Sequence, residues 1–438
     1  MPGEPGTAGT AASLRAGMVA HLRERGGLTD PRVAAVLGRV PRHVFVPGVA
    51  LPEAYADEAI VTRYRDGWPV SSASQPAIVA AMLEQLHPPE GGSVLEIGAG
   101  TGYNAALLSA LVGASGRVVT IDIDPEVADE ARSHLAEAGA TNVEVICGDG
   151  ARGWAGCAPY DGIIVTAGAS DLAPAWARQL APGGRLVLPL SIRGVQQCVA
   201  LTPADGHLRS VAVCGCGFMP LTGVMAHSDQ RLPVPGYPGV HVQAAAETEV
   251  DAALVADVLG HPGPAVDTGI TARSQEVFAS LRPWLALREP ALATLVYSGP
   301  PDAAEASAVP AVADFTVRGV TRRATPCLPG PAGLAVLDFG DPLSSDPDLS
   351  DPDLSDPEVA GGDPVRGPML RLTIRAYGQA RQQTARLVEL ITAWDAADRP
   401  GTDRLRIDAY LSGIPHPDLG GLVHAAPHTT FVISSSSA

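Results

Sequence analysis

The chain has 438 residues, with 30 Lys and Arg against 47 Asp and Glu, a formal net charge of −17 and 46% hydrophobic residues. That length exceeds one compact core and predicts two domains, and the apolar share is enough to build both. A surface this acidic repels a phosphate backbone, so nucleic acid is not an expected partner, and no apolar run is long enough to span a bilayer, so no membrane partner is expected either.

In chain order, Met1 to Ala12 is rich in Gly, Ala, Pro and Thr and has no basic segment followed by an apolar run. It reads as a loose tail rather than a secretory leader. The run Val40-Pro41-Arg42-His43-Val44-Phe45-Val46-Pro47 follows, then Ala54-Tyr55-Ala56-Asp57-Glu58-Ala59. Arg42 and His43 can be read as a carboxylate clamp and a base, but such residues more often fix a helix end, and both stay outside the catalytic set. Ser71, Ser72 and Ser74 precede Pro76 at an expected helix start. Their hydroxyls and the free amide N–H groups there can hold a carboxylate, while plain N-capping is the alternative and accounts for two of the three.

Val94-Leu95-Glu96-Ile97-Gly98-Ala99-Gly100-Thr101-Gly102-Tyr103 is an apolar strand running into glycines at alternate positions, with a helix expected over Asn104 to Val112. A dinucleotide fingerprint wants its third glycine at position 103, which is Tyr here. The pattern Glu-x-Gly-x-Gly-x-Gly leaves room for a sulfonium nucleoside with no pyrophosphate to cradle, which favours S-adenosylmethionine over NAD. A plain tight turn is the bland alternative. Arg117 to Ile121 reads as the next strand, with Asp122 at its end, where a carboxylate accepts ribose hydroxyls; Asp124-Pro125-Glu126 already supplies the helix start that Asp122 might otherwise mark. Pro125 to Ala138 reads as a helix and Val143 to Ile146 as a strand. Asp149, in Gly148-Asp149-Gly150, is either a turn residue or a partner for the adenine amino group. Asp161 to Thr166 (strand), Asp171 to Leu180 (helix), Pro182-Gly183-Gly184 (turn) and Arg185 to Pro189 (strand) continue an alternation that implies a parallel, doubly wound α/β sheet. The expected fold is a class I S-adenosylmethionine-dependent methyltransferase core, Rossmann-like. Its cofactor set is Glu96, Gly98, Gly100, Thr101, Gly102, Asp122, Ile123, Asp149 and Gly150.

About half the chain follows Gly223. Strands are expected at Gly239 to Ala246, Ala293 to Ser298, Phe315 to Thr321, Leu334 to Phe339 and Met369 to Tyr377, with helices at Glu249 to Leu259, Ser274 to Leu287 and Gln379 to Ala396. Closing strands fall near Leu405 to Leu411 and Thr430 to Ser434. The pattern predicts a C-terminal α+β domain of mixed pairing over 226–438, after a catalytic domain over 13–225. Ser345-Asp346-Pro347-Asp348-Leu349 recurs as Ser350-Asp351-Pro352-Asp353-Leu354 and Ser355-Asp356-Pro357-Glu358. It reads as a solvated acidic loop over about 341–365, because Pro at that period cannot pack a core and no EF-hand spacing supports calcium. The six cysteines lack zinc-ribbon spacing, Cys214-x-Cys216 falls in an expected strand, and the 11 histidines form no His-x-x-x-His pair. Ordinary buried thiols, no metal and a reducing cytoplasm are expected.

The Val-Pro-Arg run, the Ala-Tyr-x-Asp segment, Ser74-Gln75-Pro76, Ala158-Pro159-Tyr160-Asp161 and Gly217-Phe218-Met219-Pro220-Leu221-Thr222-Gly223 resemble, in this order, the protein-L-isoaspartate O-methyltransferase family over roughly residues 30 to 225. The resemblance implies a catalytic-site role for Ser74, with Ser71 and Ser72 as substrate-binding neighbours, and a contact of Thr222 with the cofactor region; a turn residue is the alternative for Thr222. It also implies esterification of an Asp or isoAsp carboxylate, which has a free pKa near ~4 and needs no strong base. Alignment with the methyl sulfonium and exclusion of water suffice. The methyl ester then loses methanol to a neighbouring backbone amide, giving a succinimide that hydrolyses to Asp or isoAsp.

Two features depart from the repair enzyme: Trp68-Pro69-Val70-Ser71-Ser72-Ala73-Ser74 replaces its Gly-Gln-Thr-Ile-Ser approach, and the C-terminal half is additional. Together with Thr429-Thr430-Phe431-Val432-Ile433-Ser434, they make the chain similar to extended actinobacterial members that accompany lanthipeptide and graspetide biosynthesis. That similarity implies a modified precursor peptide as partner and an ordinary Asp as target. The alternatives are isoaspartate repair, a cofactor-fold scaffold and a small-molecule methyltransferase.

Overall fold

The computed structural model describes residues 5–65, 68–226, 229–317, 320–340, 369–417 and 421–435. They form two compact units, one from the described parts of Met1–Ser191, Gln196–His227 and Leu405–Ala438, the other from Ile192–Val195 and Ser228–Arg404. The acidic repeat lies outside the described residues.

The first unit opens with helices α1 (Pro5–Glu24), α2 (Pro31–Leu37) and α3 (Leu51–Ala54). The expected loose tail is thus helical from Pro5 onward; alanines at 8, 11 and 12 are good helix formers, and Ala11 is buried. An antiparallel hairpin, β1 (Ile60–Arg65) and β2 (Trp68–Ala73), leads into α4 (Pro76–Leu86). Then come β3 (Ser93–Ile97), α5 (Tyr103–Val112), β4 (Arg117–Asp122), α6 (Pro125–Glu137), β5 (Val143–Cys147), β6 (Tyr160–Val165), α7 (Pro174–Gln179) and β7 (Leu180–Ile192). Strands β5, β4, β3, β6 and β7 lie side by side in that order and all pair in parallel. The doubly wound sheet is therefore present, and the chain reverses direction across it between β3 and β6. Two antiparallel strands, β8 (Val195–Ala204) and β9 (His207–Gly215), extend it. Helix α7 is shorter than expected. Asp171 stays outside it because its carboxylate accepts the Leu172 and His428 N–H groups, at 2.8 and 2.7 Å.

The second unit has β10 (Gln230–Pro233), β11 (Val240–Ala244), α8 (Ala252–Leu259) and β12 (Pro262–Ala272). Helices α9 (Ser274–Glu276) and α10 (Arg282–Arg288) flank a π-helical turn at Val277–Leu281. Strands β13 (Ala293–Gly299), β14 (Ala313–Val317), β15 (Val320–Gly330), β16 (Gly333–Phe339) and β17 (Leu370–Gly378) precede α11 (Arg381–Ala396). The expected single strand over Phe315 to Thr321 is thus parts of two. Every described pairing in this sheet is antiparallel, not mixed. Along β16, Ala335 and Leu337 join a core that includes Leu285, Leu390 and Trp394, while Leu334 and Val336 join another that includes Val242, Leu259 and Leu295. Both faces are covered, which is why this strand is an unbroken apolar run rather than an alternating one.

The chain then returns to the first unit. Strands β18 (Leu405–Leu411), β19 (Leu422–Ala425) and β20 (Thr429–Ser435) continue the first sheet beyond β9, in the order β9, β18, β20, β19. The expected boundary at 226 is crossed by these strands, so the closing strands belong with the methyltransferase-like sheet. Buried Asp408 anchors the return: His207 Nε2 at 2.9 Å and the Nε atoms of Arg209 and Arg406, each at 2.8 Å, surround its carboxylate. Burial pushes that carboxyl up and the three donors pull it further down, leaving it below its ordinary range.

Candidate active site

The carboxyl ends of β3, β4, β5 and β6 share one edge of the parallel sheet, at the switch between β3 and β6, where ligands of such sheets lie. The glycine loop leaves β3 there. A Cβ on Gly98 would stand 2.6 Å from the Thr166 hydroxyl at the end of β6, and one on Gly102 would press to 3.3 Å from the Ala131 carbonyl of α6. Gly150 is closed off in the same way by Ile97. These glycines serve the protein's own packing. Gly100 is different: with φ at 50°, a Cβ there would meet only the Ser72 carbonyl, at 3.6 Å. The loop leaves an open cradle at this position, which fits close approach of a ligand to the backbone. Thr101 is buried and its hydroxyl accepts the Tyr103 N–H at 3.4 Å, so it shapes the turn from inside.

The three acids divide. Glu96 is completely buried, and its two oxygens accept from Asn104 Nδ2 at 2.8 Å and Thr120 Oγ1 at 2.6 Å. Burial raises its pKa to about 7 against those two hydrogen bonds. Its complete burial beneath the loop, which sets it apart from Asp122 and Asp149, suits a group that ties β3, β4 and α5 together rather than the expected direct cofactor contact. Asp122, at the end of β4, is half-buried and accepts the Gly100 N–H at 3.0 Å and the Asp124 N–H at 3.1 Å. Burial raises its pKa while those N–H groups oppose the shift. Asp124, not Asp122, caps α6. Each Asp122 oxygen retains a lone pair for a ribose hydroxyl. Asp149 accepts the Ala151 N–H at 2.9 Å and the Val224 N–H at 2.8 Å. It therefore draws Thr222 and its neighbours to the same edge. Thr222 is exposed, and a Cβ on Gly223 would reach 2.5 Å from Asp149 and 3.0 Å from the Ile123 side chain, which is 41% exposed.

The serines lie on the hairpin and the approach to α4. Ser71 Oγ accepts from Thr62 at 3.1 Å, and the Ser72 carbonyl is the group beside Gly100. Neither the Ser72 nor the Ser74 hydroxyl has a hydrogen-bond partner among the described residues. The capping alternative does not hold for them. Gln75 occupies the cap position without a side-chain cap bond, and Asp57 caps from afar by accepting the Ala77 N–H at 2.8 Å and the Gln75 amide at 3.2 Å. Half-buried Ser74 is held through its carbonyl, which accepts from Arg42 Nη2 at 3.0 Å.

With this geometry the comparisons are specific. A family model described as Protein-L-isoaspartate(D-aspartate) O-methyltransferase matches residues 13–226. A Protein-L-isoaspartate O-methyltransferase of Methanoregula boonei is 44% identical over 200 residues, 45% of this chain and 87% of that relative. The chain belongs to the protein-L-isoaspartate O-methyltransferase family. The relative of the same name from Methanopyrus kandleri is 40% identical over 211 residues, 47% of this chain and 90% of its own length. A solved structure named protein-L-isoaspartate O-methyltransferase aligns over 97% of this chain and 100% of its own, with 20% identity and a TM-score of 0.48. This is a family of carboxyl O-methyltransferases that act on proteins with S-adenosylmethionine as methyl donor.

For this family member the sequence left several site residues unmarked. Asp57 stood in the quoted Ala-Tyr-x-Asp segment, and its signal was that Gln before Pro76 is a poor cap. Thr166, Asn104 and Thr120 are ordinary strand and helix residues whose roles depend on register. Gly223 was visible only as a glycine after Thr222. The expectation of buried thiols also needs correction: Cys147 is exposed, and of the six only Cys198 and Cys327 are buried. Among the described residues no group of three or more His, Cys, Asp or Glu forms a metal-like cluster, and no helix is long and apolar enough to cross a membrane.

Proposed function

We propose that the first unit methylates the free carboxylate of an L-isoaspartyl residue in a protein or peptide, with Ser74 at the acceptor and Gly100, Asp122, Ile123, Asp149 and Thr222 around the donor. The observation that carries the reading is the approach of the Ser72 carbonyl to Gly100, which supports an acceptor segment beside the donor loop. The family match over residues 13–226 and the relatives' isoaspartyl names support this acceptor. They favour it over the expected ordinary Asp of a modified precursor peptide, for which the support is the variant Trp68–Ser74 approach and the second unit. A cytoplasmic setting belongs to the same proposal.

S-adenosylmethionine supplies an electrophilic methyl group on a sulfonium. The protein's residues have positioning work to do. Asp122 offers its remaining lone pairs to the ribose, and Asp149 does so to the adenine amino group. Glu96, Gly98, Thr101, Gly102 and Gly150 hold the loop's shape. The Ser74 hydroxyl donates to one oxygen of the acceptor carboxylate and leaves the other to attack, while Ser71 and Ser72 line the approach. No general base is required, because the acceptor is ionised at neutral pH.

The test is methyl-ester formation with S-adenosylmethionine on three substrates: a linear isoAsp peptide, its Asp twin and an Asp-containing macrocyclic peptide. Methylation of the isoAsp peptide with little on the others is expected. Preference for the macrocycle over the isoAsp peptide would overturn this acceptor and restore the peptide-tailoring reading.

A further inference from the structure

We propose that Arg42 is a positioning residue that couples the acceptor segment to the donor loop through the face of Tyr103. The inference rests on the reading of Ser74 and Gly100 as the two halves of one site. Arg42 is completely buried. Its guanidinium donates to the carbonyls of Ala54 at 2.6 Å, Glu58 at 3.0 Å and Ser74 at 3.0 Å, which gathers the segment before β1 and the entry to α4 around one fork. The same guanidinium lies 5.9 Å from the centroid of the Tyr103 ring. Tyr103 follows Gly102 directly as the first residue of α5, and Phe45 packs against its ring at 5.5 Å. One cation therefore touches the acceptor side through the Ser74 carbonyl and the donor side through the first residue after the glycine loop.

Two features separate this arrangement from ordinary core packing. A buried guanidinium usually pairs with a carboxylate, yet these contacts are to neutral carbonyls, with Asp57 adding only a longer-range attraction. In addition, the Arg42 Nε and the Tyr103 hydroxyl are both buried without a hydrogen-bond partner. Native structures leave few such atoms, and two in one contact call for a reason beyond packing. A shift of the glycine loop moves the ring beneath the cation. That displacement loads the planar fork holding Ser74. Lysine, a point charge with no fork, cannot hold these carbonyls and the ring together.

The experiment uses the full chain and calorimetric titration of S-adenosylhomocysteine with and without a saturating isoAsp peptide. The wild-type protein should bind the nucleoside at least about fivefold more tightly when the peptide is present, the lower end of ordinary coupling between sites. Arg42→Lys should lose that enhancement while its affinity for the nucleoside alone is retained. Tyr103→Phe should keep the enhancement, because the ring face remains, and Tyr103→Leu should lose it. An Arg42→Lys protein with the enhancement intact would overturn the proposal, as would one whose nucleoside affinity and melting temperature fall together with the enhancement. If Arg42→Lys does not fold, Tyr103→Leu decides: retained enhancement overturns the coupling. A wild-type chain that methylates the isoAsp peptide without any enhancement refutes the role of Arg42 and leaves the functional reading standing. A chain that binds neither compound refutes both.

Discussion

Replacing Glu96 by Gln tests whether the acid of the glycine motif is a buried structural group or a cofactor ligand. Burial raises its pKa from 4.5 to about 7 in the folded chain. The folded protein therefore keeps a proton that the unfolded chain releases, and stability declines as pH rises from about 4.5 to about 7. At about 1.4 kcal/mol per pKa unit, that gap corresponds to ~3 kcal/mol lost by the upper end of the window. Gln mimics the protonated acid: its carbonyl can accept from Asn104 and its amide can donate to Thr120, both of which contact Glu96. Urea unfolding between pH 5 and pH 8.5 should thus show a wild-type midpoint that falls relative to that of Glu96→Gln as pH rises. The variant should be the more stable protein at pH 8, by one to ~3 kcal/mol. Parallel midpoints across the whole range would refute the reasoning and return Glu96 to the cofactor set.

Three further outcomes follow from the geometry. Gly223→Ala places a Cβ against Asp149 in a backbone conformation with φ of 88°, so it should cost about 1–3 kcal/mol in urea unfolding and weaken binding of S-adenosylhomocysteine in calorimetry. Asp408→Asn leaves His207, Arg209 and Arg406 around a neutral amide and should cost about 1–3 kcal/mol at pH 7. Because the folded Asp408 carboxyl lies below its ordinary value of 3.8, that loss should shrink as pH falls through 3.8 and below, measured by thermal unfolding across an acid series. A chain ending at Arg404 lacks β18–β20 and opens the β9 edge, so it should sediment as aggregate where the full chain stays in solution.

The alternation of apolar strands and helices from Val94 to Pro189 was legible because a parallel sheet buries both faces and punctuates its strands with glycine and proline. The positions of Asp122 and Asp124 were legible too: one ends a strand and the other caps the helix that follows, each with its own spacing rule. The destination of the closing strands was not. Leu405 to Leu411 looks like any strand, and nothing local reveals that it pairs with β9 rather than with β17. The serines misled in a different way. Serine before proline suggests a cap, whereas the cap came from Asp57, distant in sequence and brought close by β1 and β2. Arg42 reads in the sequence as a residue that fixes a helix end, whereas its partners are backbone carbonyls that composition does not display.

A structure of the full chain with S-adenosylhomocysteine and an isoAsp peptide bound tests the central claim most directly. The account predicts the nucleoside against Gly100 with its ribose on Asp122, and the isoAsp carboxylate within hydrogen-bond reach of the Ser74 hydroxyl. A nucleoside bound elsewhere, or a peptide carboxylate held by residues remote from Ser74, would contradict it.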